Sequence, residues 1–172
     1  MEDKMKKILF FLFLTCIVEA QGISSNLIRA YASIYTHENS SVQSMQDSVF
    51  IKVTAYTNNG LSYNCIADAD SDRIEILQSG DYSLNSNFST KASVAGVTFI
   101  TVFCVDNIEI PDVYTERRWI NANDNSSAAM SCQYHLHKGQ HIEIWARHNH
   151  SSAVNITVTS ANLNITYIGA GN

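Results

Sequence analysis

Five of the six histidines crowd one stretch: His135, His137, His141, His148 and His150. Imidazole and carboxylate together can hold a divalent metal, so His135, His137, His141 and Glu143 form one candidate metal set. The same stretch alternates. Met130, Cys132, Tyr134 and Leu136 interleave with Ser131, Gln133, His135 and His137; Ile142, Ile144 and Ala146 interleave with His141, Glu143, Trp145 and Arg147. This reads as a hairpin turned at Lys138-Gly139-Gln140, apolar on one face and polar on the other. The histidines would lie on its outer face beside Glu143, where a solvated polar surface is the default reading.

A second candidate is Asp68-Ala69-Asp70-Ser71-Asp72, whose alternate carboxylates have the spacing that opens calcium loops. The helix-loop-helix version fails, because Arg73 stands where glycine is needed and Ser79 where glutamate is needed. A calcium site in a β-loop remains open beside a plain hydrophilic turn, and no other cofactor is expected. Trp119 and Trp145 are candidates for stacking on a sugar, set against ordinary core packing. No Gly-x-Ser-x-Gly, phosphate loop, HExxH or CxxC occurs, so the common catalytic and zinc motifs give no support for an enzyme.

The elements that must carry these residues are strands. Beyond residue 20, period two recurs and helical periodicity does not. Strands are predicted at Leu27–Tyr35, Val49–Tyr56, Arg73–Leu77, Tyr82–Phe88, Val97–Val105, Met130–Leu136, Ile142–Ala146, Val154–Thr159 and Leu163–Tyr167. Asn58-Asn59-Gly60, Ser79-Gly80-Asp81, Asp106-Asn107 and Pro111-Asp112 are the turn signals. About eight or nine strands at this spacing indicate an all-β, two-sheet antiparallel sandwich. Val97–Val105 is apolar on both faces, with Phe99, Phe103 and Val105 on one and Ile100, Val102 and Cys104 on the other. A strand at the skin of a sandwich should alternate with polar residues. Either another layer of the same chain or another subunit must therefore cover it, and Ile100, Val102 and Cys104 are the candidate oligomer interface.

The first 20 residues are organised differently. Lys4, Lys6 and Lys7 precede an apolar run over Ile8–Val18, and Val18-Glu19-Ala20 places small residues for cleavage before Gln21. The run is shorter than the ~20 residues a membrane-spanning helix needs. Residues 1–20 are read as a signal peptide and 21–172 as one exported domain, secreted or periplasmic. The net charge is −5 and the basic residues are scattered, which excludes a nucleic-acid stripe or an anionic-membrane patch. Of the four cysteines, Cys65, Cys104 and Cys132 lie beyond the leader. One disulfide with a leftover thiol, in any of the pairings, and three buried thiols are both open. Asn39, Asn87, Asn125, Asn149, Asn155 and Asn164 begin glycosylation sequons.

Three segments carry a resemblance. Gly80-Asp81-Tyr82-Ser83-Leu84 enters the apolar strand region, Leu136-His137-Lys138-Gly139-Gln140-His141-Ile142-Glu143-Ile144 turns late in the chain, and Ala161-Asn162-Leu163-Asn164-Ile165-Thr166-Tyr167-Ile168-Gly169 closes it. Over residues 27–169 the pattern resembles the tumour-necrosis-factor-like jelly roll, nearest its complement globular-head branch and its bacterial and phage versions. Leu84 replaces the family's usual aromatic, and Gln140 its usual aspartate. The resemblance implies a homotrimeric, non-enzymatic module that binds a protein or glycan through loops or outer faces. The alternative is a monomeric carbohydrate-binding or cupin-like jelly roll with metal. A cupin, however, directs its ligands into the barrel, and the interval from His135-x-His137 to Glu143 is longer than the cupin spacing.

Exported protein is expected to begin at Gln21 or within two residues of it. N-terminal sequencing that finds Met1 or Met5 retained would remove the leader assignment.

Overall fold

The computed structural model describes residues 29–170; the expected leader and Leu27 lie outside them. Twelve strands follow in chain order: β1 (Tyr31–His37), β2 (Val42–Met45), β3 (Ile51–Lys52), β4 (Asn58–Tyr63), β5 (Cys65–Asp68), β6 (Arg73–Ile76), β7 (Gly80–Ala92), β8 (Thr98–Val105), β9 (Ile108–Arg118), β10 (Ser126–Leu136), β11 (His141–His148) and β12 (Val154–Gly169). They form two antiparallel sheets. The first runs β10-β7-β12-β1-β4 with β2 also on β12; the second runs β5-β6-β11-β8-β9 with β3 also on β11.

Alternation decides what each sheet buries. From the first come Ala32, Ile34, Leu84, Phe88, Leu163 and Ile165; from the second, Ile74, Ile76, Phe99, Phe103, Ile142 and Ile144. These inner faces make one core, the arrangement expected when each sheet has only one apolar face to hide. Trp119 belongs to it: the ring is 1% exposed, meets Phe99 edge to face at 5.2 Å, and donates from Nε1 to the Thr90 carbonyl at 3.2 Å. Its expected role in sugar stacking is therefore overturned.

Several local expectations change for physical reasons. The predicted hairpin at residues 130–146 is a crossover. β10 pairs with β7 and β11 pairs with β8, so Lys138-Gly139 carries the chain between sheets. Period two fixes the face of each strand and is silent about its partner. The Asn58-Asn59-Gly60 signal lies within β4, where Gly60 backs onto Ser33 at a bulge too close for a Cβ. Pro111-Asp112 is a kink inside β9 with Asp112 at φ 61°, beside a register shift against β8. Asp106 and Asn107 do turn, both with positive φ, and close the β8–β9 hairpin.

His148 shows how the second sheet holds the segment after β2. The ring is buried, donates from Nε2 to the Met45 carbonyl at 2.9 Å and accepts the His150 N–H on Nδ1 at 3.0 Å. With one nitrogen donating and the other accepting, the ring is a neutral structural tautomer.

Cys65, Cys104 and Cys132 are unpaired. Burial pushes all three thiols up, to about 11, 12 and 11 respectively. Thiol titration of denatured, unreduced protein processed before Gln21 should therefore count three per chain. A lower count would mean that a disulfide forms.

Candidate recognition surfaces

The outer face of the second sheet is built from rows of side chains in register. Glu143 stands beside Cys104, Trp145 beside Val102, and Arg147 beside Ile100. On the far side of β8, Tyr114 flanks Val102 and Glu116 flanks Ile100; Lys52 of β3 flanks Trp145. Glu143 is buried and is held twice, by Lys52 Nζ at 2.6 Å and by the Trp145 indole N–H at 2.8 Å. The lysine balances the carboxylate, and the carboxylate fixes the indole, so Trp145 lies half-buried in one orientation.

This explains the doubly apolar strand. Phe99, Phe103 and Val105 face the core together with Thr101. Ile100, Val102 and Cys104 face outward, yet Val102 is 4% and Cys104 2% exposed in the single chain. Their neighbours in register on β9 and β11 supply the cover. The argument that a second subunit must shield this stripe therefore loses its premise.

The candidate metal residues are dispersed. His135 is on the outer face of the first sheet and bonds Asp81 at 2.8 Å, with the His137 ring 4.8 Å from its own. His141 bonds Asp106 at 3.1 Å, and Glu143 is engaged by Lys52 and Trp145 on the opposite side of the molecule. The crossover between β10 and β11 divides the set. In the acidic loop, Asp68 accepts the Ser71 N–H at 3.1 Å and meets Arg73 at 3.4 Å; the Ser71 hydroxyl first, then the Ser71 N–H and Arg73, lower its pKa against the opposing effect of burial. Asp70 is exposed. Asp72 turns inward at φ 50° and accepts the N–H groups of Ala55 and Tyr56 at 2.9 and 3.0 Å. Burial raises its pKa, and the two donors oppose the shift. Among the described residues, no group of three or more histidine, cysteine, aspartate or glutamate side chains converges as a metal site.

The outer face of the first sheet has another chemistry. Register places Ser33 and Tyr35, Asn162 and Asn164, Asn85 and Asn87, and Ala129 and Ser131 across its centre. Asn162 donates to Asn87 at 2.8 Å and Asn164 donates to Asn162 at 3.0 Å, forming a short amide ladder. Tyr31 stacks on Tyr63, centroids 6.3 Å apart. Leu61 nearby is 80% exposed. Charge stays at the ends, with Asp81 and His135 at one and Lys91 at the other. Sequence reading missed this surface because no single motif marks it; the signal was the run of Asn, Ser and Thr opposite the core residues of β7 and β12.

No protein-family model matches the sequence, and no curated protein does. Solved structures do match by shape. Murine APRIL at pH 5.0 superposes with a TM-score of 0.56 at 14% identity, over 81% of this chain and 99% of that one. The fold is the tumour-necrosis-factor-like jelly roll. Eiger TNF from S. frugiperda superposes on this jelly roll with a TM-score of 0.55 at 8% identity, covering 83% and 96% of the two chains. The globular domain of the zebrafish complement 1qA protein gives 0.54 at 10%, covering 82% and 98%. The tumour-necrosis-factor and complement globular-head structures thus share the jelly roll seen here. Among the described residues, no helix is long and apolar enough to cross a membrane.

Asp72 is expected to act as a structural acceptor. Asp72→Ala should cost about 1–3 kcal/mol by leaving two N–H groups unpaired, whereas Asp72→Asn keeps an accepting oxygen and should cost less. Thermal melts in chelator and in calcium should agree. A calcium-dependent difference between parent and variants would restore a cation to this loop.

Proposed function

We propose that the protein is an exported, non-catalytic recognition module that works as a homotrimer and binds a protein or glycan through its remaining outer surfaces. The observation that carries the assembly is the outer face of the first sheet. Its centre has amides, hydroxyls and exposed tyrosines, and its charges lie at the ends. Interface cores are depleted of charge and enriched in tyrosine in the same way. The second sheet offers the opposite, with Lys52, Glu143, Arg147 and Glu116 across its middle. The jelly roll and its resemblance to a trimeric family favour three copies over two.

Light scattering at micromolar concentration should return three times the mass of the mature chain. Tyr35→Glu places an unpartnered charge on the proposed interface, where its desolvation costs several kcal/mol; the variant should stay folded and run as a monomer. Glu109→Lys, on the second sheet, should leave the mass unchanged. A monomeric parent overturns the assembly and favours a monomeric carbohydrate-binding jelly roll. A Tyr35→Glu variant that keeps the parental mass overturns the choice of face.

A further inference from the structure

The fold sorts the six Asn-x-Ser/Thr sequons into unlike places. Asn87 lies inside β7, and Asn155 and Asn164 inside β12. Each alternates with core residues, so all three stand on the outer face of the first sheet. Asn87 and Asn164 also take part in its amide ladder. Asn39 lies between β1 and β2 but is half-buried. It donates its side-chain amide to the Ala55 carbonyl at 2.9 Å and accepts the Ser41 N–H at 2.8 Å, so it ties two segments together.

Asn125 and Asn149 differ from these four. Both are exposed and both lie in loops. Asn125 ends the segment between β9 and β10, and Asn149 opens the one between β11 and β12. Asn149 accepts the Thr98 N–H on its side-chain oxygen at 2.9 Å. Among the described residues, no hydrogen bond engages the side-chain nitrogen of either. Ser127 and Ser151, the hydroxyl residues of the two sequons, are exposed as well. The two sites share one end of the sandwich. Ser126, next to Asn125, registers with Thr90 near the end of β7. Asn149 donates its backbone N–H to the carbonyl of Thr98, where β8 begins, at 3.2 Å, and residues 93–97 join those two strands. The opposite end, with the Asp106-Asn107 turn and the Lys138-Gly139 crossover, carries no sequon.

We propose that Asn125 and Asn149 carry N-linked oligosaccharides that cap this end of the sandwich. In the transfer, Nδ2 attacks the anomeric carbon of an oligosaccharide carried on a polyprenyl diphosphate. The N–C bond forms and the C–O bond to the diphosphate breaks. The diphosphate leaves with the electron pair, and the nitrogen gives up one proton. The side-chain oxygen is untouched, so Asn149 keeps its bond to Thr98. An acceptor segment must reach the transferase in an accessible form, which a surface loop allows without unpairing a strand. Asn87, Asn155 and Asn164 are instead held in antiparallel ladders. A bulky, hydrated glycan suits a free end and not a face covered by another copy. The inference rests on the exported reading above, and the exclusion of the three strand sites rests on its trimeric part.

The test uses the full chain, residues 1–172, secreted from mammalian cells. Peptide-N-glycosidase converts each glycosylated asparagine to aspartate, which peptide mapping then locates. Positions 125 and 149 should read as aspartate, and positions 39, 87, 155 and 164 as asparagine. Asn125→Gln should lose one glycan from the intact mass. Ser151→Ala should lose the other while keeping Asn149 and its bond to Thr98. Both variants should keep the parental oligomeric state by light scattering, since neither change touches the core. The inference falls if the secreted protein has the mass of the bare chain, if position 125 or 149 reads as asparagine, or if Asn39 carries a glycan. A bare secreted chain leaves export standing, whereas a parent retained in the cell ends the exported reading and the inference with it. A further glycan at Asn87, Asn155 or Asn164 on a monomer leaves the two loop sites standing while the trimeric reading fails. The same glycan on a trimer overturns the choice of face.

Discussion

The pairing of β7 with β12 is the constraint from which the rest of the architecture follows. These are the two longest strands, and they run antiparallel from Asp81 opposite Gly169 to Ala92 opposite Ile156. Their inner residues, Leu84, Phe88, Leu163 and Ile165, supply the middle of the core. Gly80 opens β7 at φ 153°, where a side chain would collide with the Tyr167 ring and the Gly169 carbonyl. With that pair set, β10 can add only beside β7 and β1 only beside β12. The second sheet must then close over them with its own apolar face inward.

Fixing the inner faces also fixes what remains outside, and the two outer surfaces differ in kind. One is nearly free of charge at its centre, bonded laterally through asparagine amides. The other is a charged lattice in which Lys52, Glu143 and Trp145 hold one another in place. Burial of Glu143 is tolerable because each of its oxygens meets a donor, which is the condition for a charge beneath a surface to be structural rather than disruptive.

Much of this was legible in the sequence, and the limits are instructive. Alternation assigned the faces of β10 and β11 correctly, and the fold class followed. The split of β8 into a core face and an outer face needed its partners to be known, since Phe99 and Ile100 are equally apolar. The histidine cluster dispersed because residues close in sequence belong to different sheets once β10 and β11 part. Trp119 gave no periodic signal: it sits past the end of β9 between Arg118 and the exposed Ile120, and only the fold shows the ring turning under Thr90. Asp72 looked like its neighbours Asp68 and Asp70, yet the backbone of residues 55 and 56 claimed it.

The three thiols, two buried and one half-buried, carry a consequence for handling the protein. While the chain is folded, burial favours the protonated form of all three and shields Cys65 and Cys104, so oxidation is slow. Among the described residues no disulfide restrains the chain when it unfolds, and the sheets are assembled from distant partners, a topology that refolds slowly. Each excursion into the unfolded state therefore exposes thiols long enough for air to couple them between chains. Melting would then become scan-rate dependent and irreversible unless a reductant is present, and durability in an oxidising setting would be governed by how seldom the sandwich opens.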